Sequence, residues 1–173
     1  MKNVITCLSL FLCMIFITAT RGNTQLTPAA IDAVKLTITD IPEGYMYGTV
    51  PEPYKKTLKE NPWMMDKAAI KRLADKIYPG GDFKKIADIH VTIIANKDTP
   101  FGDDIVCYLI LYNSARDAQN EMKKVTEFAY YNSDRALLLT KDNLAVFLFV
   151  DDMNNFHFIQ DLAKTIEERL KNL

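Results

Sequence analysis

The sequence predicts an α+β protein, an antiparallel sheet of about four or more strands with helices packed on it. The expected order is ββαββα, preceded by an N-terminal strand and helix. Three observations predict this. Residues 105–112 (Ile-Val-Cys-Tyr-Leu-Ile-Leu-Tyr) are an unbroken apolar run, too short for an ordinary helix and rich in strand formers, which reads as a strand buried on both faces. Three other segments repeat apolar residues at the i, i+3, i+4, i+7 spacing of an amphipathic helix. Two further apolar runs, 136–140 and 144–150, are joined by Lys141-Asp142-Asn143, turn chemistry that predicts a hairpin.

Taken in order, Thr27-Pro28 starts a short helical turn through Ala29, Ala30 and Ile31, since proline suits a first helical position. Residues 34–39 alternate, with Val34, Leu36 and Ile38 on one side, the pattern of a half-buried strand. A turn at 40–44 leads to a short strand over 45–49, then a polar loop containing Pro51, Pro53, Lys55 and Lys56. Asn61 as N-cap and Pro62 at the first helical position open a helix. Its inward stripe is Ile70, Leu73, Ala74 and Ile77; Lys67, Lys71, Arg72 and Lys76 lie on the wetted side, and Pro79-Gly80-Gly81 ends it.

The second half holds a strand over 86–96, with Ile89, Val91, Ile93 and Ala95 sharing a face, and then the central strand. Ser114, with Asp117 three residues on, caps a helix striped by Ala118, Met122, Val125 and Ala129. After the hairpin, Asn154 or Asn155 caps a last helix striped by Ile159, Ala163, Ile166 and Leu170. The two stripes share a constant offset of 41 residues, which suggests two strand–strand–helix units with both helices on one face. Any two amphipathic helices can be slid into such register, so the element order does not rest on it. The opposite face is then left for the N-terminal strand and helix to cover.

The 173 residues are 49% apolar and 25% charged, with a formal net charge of -1. These are values of an ordinary globular chain with no bias toward nucleic acid. The N-terminus is more specific. Lys2, an apolar run over residues 4–18 and the small residues Thr18, Ala19, Thr20 and Gly22 have the layout of a secretory signal peptide. The run would span about 23 Å as a helix, short of the roughly 30 Å hydrocarbon layer. The expected organisation is a signal peptide over 1–22 and one α+β domain over 23–173, with no transmembrane span in the mature chain. Cys7 and Cys13 leave with the leader. Cys107 stays inside the central strand, where it reads as a small buried hydrophobe. An exported chain without a disulfide pair or an Asn-x-Ser/Thr sequon leans bacterial, periplasmic or secreted.

Candidate chemistry is sparse. His90 sits mid-strand opposite Ile89 and Val91, where half exposure is expected; His157 precedes Asp161 by one helical turn. The acidic doublets Asp103-Asp104 and Asp151-Asp152 lack the ligand spacing of a calcium loop, and turns or caps explain carboxylates at such places. No hydrolase or phosphate-loop motif is present. The sequence therefore assigns no catalytic, cofactor-binding or metal-binding residue. One uneven feature stands out. Residues 52–85 hold nine basic side chains against five acidic ones, interleaved with Tyr54, Trp63 and Tyr78. A basic surface carrying aromatics suits an anionic partner. The expected function is thus a non-enzymatic exported binding domain using Tyr54, Trp63, Lys67, Lys71, Arg72 and Lys76. Its partner would be an anionic protein, glycan or lipid head group. A small apolar ligand is the other expectation, in a pocket between the 62–77 helix and the sheet lined by Met64, Met65 and Tyr78. The competing expectation is a small hydrolase using His157 or the acidic doublets.

Overall fold

Every residue of the central apolar run but Tyr108 is buried, and the run is the middle of the sheet. The structure, a computed structural model, describes residues 25–77, 81–99 and 103–173; the expected leader, Tyr78, Pro79 and Gly80 lie outside the described residues. Among the described residues there are six strands: β1 (Tyr45–Met46), β2 (Trp63–Met64), β3 (Ile86–Asn96), β4 (Ile105–Tyr112), β5 (Ala136–Lys141) and β6 (Leu144–Val150). The order is β1-β3-β4-β6-β5, with β2 also paired to β3, and every pairing is antiparallel. Four helices cover it: α1 (Pro28–Val34), α2 (Lys67–Ile77), α3 (Ala115–Tyr131) and α4 (Phe156–Lys171). Among the described residues no helix is long and apolar enough to cross a membrane.

Alternation along β4 divides the core. Ile105, Cys107, Leu109 and Leu111 pack with buried residues of α1 and α4, including Ile31, Val34, Ile159 and Ile166. Ile110 and Tyr112 pack with Ile70 and Ala74 of α2 and with Ala118 and Val125 of α3. Burial also pushes the Cys107 thiol up to about 12, so it stays protonated and inert at neutral pH.

α3 and α4 therefore lie on opposite faces, not on one as their shared offset suggests. A strand apolar on both sides needs cover on both, and each face receives one N-terminal and one C-terminal helix. The arrangement also bears on duplication. A two-fold axis exchanging the antiparallel neighbours β4 and β6 would run normal to the sheet and keep both helices on one face. No such symmetry relates the two units.

The alternating stretch 34–39 is not a strand. α1 runs through Val34, the Lys35 N–H closes it on the Ile31 carbonyl at 2.8 Å, and Ile38 stands 70% exposed. The chain turns here because Asp40 Oδ2 accepts both the Thr37 N–H (2.7 Å) and the Thr37 hydroxyl (2.9 Å). Arg169 of α4 fixes the turn, donating to the Lys35 carbonyl (2.8 Å) and to Asp40 Oδ1 (2.7 Å).

Asn61 is not a helix cap either. α2 begins at Lys67, and Asp66 Oδ1 accepts the Ala69 N–H at 2.9 Å. Asn61 is buried against the outer edge of β3. Its amide accepts the Ile93 N–H (2.9 Å) and donates to the Ile93 carbonyl (2.7 Å) and the Thr49 carbonyl (2.8 Å). One side chain thus imitates a peptide unit between β1, at Ala95 and Asn96, and β2, at His90 and Val91. That closes an edge which would otherwise present unpaired backbone groups.

The remaining caps are mixed. Ser114 Oγ accepts the Asp117 N–H at 3.0 Å and donates to Asp117 Oδ2 at 2.8 Å. Ser114→Ala is expected to cost about 1 kcal/mol, measured as a lower chemical-denaturation midpoint; an unchanged midpoint would leave the cap without a role. Asn155 occupies the N-cap position of α4 without capping it, because its amide is engaged with Asp103.

Candidate functional site

A cleft of ≈ 210 Å³ opens between α2 and the face of the sheet that α2 covers. Its floor comes from β3 and β4, whose Val91, Ile93 and Tyr108 project on one side because Val91 is paired with Tyr108 and Ile93 with Val106. Trp63 forms a wall, carried there by β2, which pairs Trp63 with Val91. The loop before it supplies Tyr54 and Leu58. A 3-10 turn over Glu52–Tyr54 continues until the Tyr54 carbonyl accepts the N–H groups of Thr57 and Leu58, both at 2.8 Å, and this tucks Leu58 into the core. The remaining wall is α2, through Ala69, Arg72, Leu73 and Lys76.

Those four residues of α2 are themselves spaced i, i+3, i+4, i+7. They form a second stripe beside the core stripe of Ile70 and Ala74. The floor is aliphatic and aromatic, while Arg72 and Lys76 are exposed and stand one turn apart at the mouth. Neither has a carboxylate within 4.0 Å among the described residues. Comparison of the chain with protein-family models, with curated proteins and with solved structures finds no match.

Four of the six side chains singled out in the sequence meet here: Tyr54, Trp63, Arg72 and Lys76. The other two do not. Lys67 lines a separate cavity of ≈ 260 Å³ with Ile70, Phe83 and Ile86, and Lys71 lies over the Phe83 ring, 5.6 Å from its centroid. Met65 lines the cleft as expected, whereas Met64 points outward and is exposed. Tyr78 lies outside the described residues.

The histidines stay apart. His90 is buried, not half-exposed, and its Nδ1 has no hydrogen-bond partner. Desolvation first, and the charge of Lys35 second, hold its imidazole down at about 4. His157 is exposed at the start of α4, with Nδ1 3.2 Å from the Asn154 carbonyl oxygen.

The acidic doublets divide. Asp103 binds α4, β1 and β3 together, accepting from Asn155, from the Tyr45 hydroxyl (3.1 Å) and from the Asn96 amide (2.6 Å). Asp152 Oδ1 accepts the Asn154 N–H at 2.9 Å. Structural roles account for both. Asp104 and Asp151 are different: they extend the β4–β6 pairing one residue past Ile105 and Val150, with the Asp151 N–H donating to the Asp104 carbonyl at 3.1 Å. Both carboxyls are raised, by burial first. Among the described residues no group of three or more histidine, cysteine or acidic side chains is arranged to hold a metal ion.

Proposed function

We propose that the chain is an exported, periplasmic or secreted, binding domain whose cleft between α2 and the sheet takes a small ligand with an apolar body and an anionic end. The observation that carries this reading is the pairing of an apolar floor with two exposed cations, Arg72 and Lys76, at one mouth. Such a constellation of apolar lining with few polar groups is what orients a small ligand. At ≈ 210 Å³ the cleft exceeds the roughly 150 Å³ that holds one benzene ring, so an aromatic acid or a short acyl chain suits it. Export rests on the leader sequence. A hydrolase reading would need acids or a histidine at the cleft, and the described lining residues include neither.

Calorimetric titration with octanoate tests the proposal. Octanoate should bind, 1-octanol should bind more weakly, and the double variant Arg72→Ala/Lys76→Ala should lose about tenfold in affinity for octanoate, roughly 1.4 kcal/mol. Equal affinities for acid and alcohol, or an unaffected double variant, would overturn it.

A further inference from the structure

One edge of the sheet is closed and the other is open. β3 is covered by β1, β2 and the Asn61 amide, whereas β5 at the far end pairs with β6 alone among the described residues. Edge strands of soluble proteins are ordinarily kept very short or guarded by charge, proline or a bulge. β5 is Ala-Leu-Leu-Leu-Thr-Lys, with no proline, an unbroken register to β6 and a single charge at its end. Its three leucines are only partly buried. The ladder to β6 fixes which backbone groups look outward. The Val150 N–H donates to the Arg135 carbonyl at 3.0 Å, which marks these two as a hydrogen-bonded pair. Such pairs alternate along an antiparallel ladder, so Leu137, Leu139 and Lys141 turn their backbone groups to β6, and Ala136, Leu138 and Thr140 turn theirs away. The Asn132 carbonyl accepts the Ala136 N–H at 2.8 Å. Leu138 and Thr140 keep both their backbone groups on the open side.

We propose that β5 pairs antiparallel with β5 of a second copy of the chain, about a two-fold axis at Leu139, joining the two sheets edge to edge. Symmetry and charge select this register. Residues that face each other across a ladder share one face of the sheet, so the axis must centre on a residue and not on a peptide bond. Centred on Leu139, it sets Leu138 across from the partner's Thr140. The two exchange both hydrogen bonds, the symmetric pair repeats them, and every open group of Leu138 and Thr140 is used. No like charges face each other. An axis at Leu138 would instead call on the occupied Ala136 N–H and set Arg135 against the partner's Lys141, two cations. The chosen register also places the partner's Leu137 beside Lys141. There β5 borders a depression of ≈ 240 Å³ lined by Leu139, Thr140 and Lys141 with Glu167 and Leu170 of α4, and Leu137 and Leu139 lie on that same α4 side of the sheet. The incoming leucine thus has an apolar seat. β5 contributes nothing to the cleft under α2, so this inference is independent of the ligand reading.

Pairing over one short strand is a small interface, at the transient end of the range for specific complexes, so association should follow concentration. In sedimentation velocity the protein purified after export should climb from monomer toward dimer between micromolar and millimolar concentration. Thr140→Pro removes an outward N–H at an exposed position, where an edge strand accepts proline, and should weaken dimerisation by about tenfold or more. Single-cysteine variants read the register without depending on how that variant folds. Cys107 is buried and its thiol is held protonated, so the introduced thiol is the one that reacts. Leu139→Cys should cross-link to a dimer in oxidised glutathione, because a non-hydrogen-bonded pair brings its Cα atoms to about 4.5 Å, within disulfide reach. Leu138→Cys and Thr140→Cys have no copy of themselves opposite and should stay monomeric. A wild type that remains monomeric at millimolar concentration would overturn the proposal. So would undiminished association of Thr140→Pro, or cross-linking at 138 or 140 that equals or exceeds that at 139.

Discussion

Asn143→Ala should lower stability by about 3 kcal/mol or more. Asn143 is fully buried in the β5–β6 turn, and its side chain reaches out of the hairpin to two other parts of the chain. Oδ1 accepts the Leu26 N–H at 2.8 Å, while Nδ2 donates to the Leu26 carbonyl at 3.0 Å and the Tyr112 carbonyl at 2.8 Å. Truncation takes one hydrogen bond from each of three main-chain groups beside the buried Leu26 and Tyr112, and each such loss costs about 1–3 kcal/mol. The isosteric Asn143→Asp should be worse at neutral pH, because it turns an acceptor toward two carbonyl oxygens. The damage has a direction as well as a size. Leu26 leads into α1, so hydrogen exchange should rise first across residues 26–34. Urea midpoints for the two variants equal to wild type would show that the clamp carries no stability.

That clamp marks the boundary of what the sequence discloses. β4 was readable because burial on both faces leaves an uninterrupted apolar run, and α3 and α4 because their stripes have one period. The short strand read over 45–49 is present as the two residues of β1, whereas β2, also of two residues, is too short for any period and lies inside the stretch read as a helix start. Asn61 in front of a proline reads as a helix start; its use as a stand-in peptide depends on Ile93, distant in sequence. The stretch 34–39 alternates by composition, yet Asp40 bends it before Ile38 can be buried.

The site follows the same logic. The basic bias of residues 52–85 was visible, but which cations look into the cleft is a matter of helix phase. The stripe 69, 72, 73, 76 could have been read from spacing, and it would have separated Arg72 and Lys76 from Lys67 and Lys71. Tyr108, Val91 and Ile93 could not have been assigned to the floor, since their strands are apolar on both faces. Asp104 and Asp151 lie in separate doublets that read, in the sequence, as turn and cap residues. Only the β4–β6 register sets them side by side.

Stability should also fall by about 3 kcal/mol as pH is lowered from 6.5 to 4, and His90 should be responsible. The sign follows from the direction of its shift. Burial holds the folded imidazole near 4, whereas an unfolded one titrates near 6.5. Between those values the unfolded chain binds a proton that the folded chain refuses. The contribution of His90 is therefore complete above pH 6.5 and is lost as pH falls through the folded value. Asp104 and Asp151 act oppositely. Their carboxyls are raised above the usual carboxylate range, so their contribution is complete below about 3.8 and declines as pH rises through the folded values. The wild-type profile adds these slopes, and a variant separates them. His90→Leu removes a ring whose Nδ1 makes no hydrogen bond and puts a leucine across from Leu109, its partner on β4. Denaturant titrations at pH 4 and 7 should show the variant losing about 3 kcal/mol less than wild type on acidification. An identical loss in both proteins would place the acid sensitivity elsewhere, with the buried imidazole already protonated or open to water.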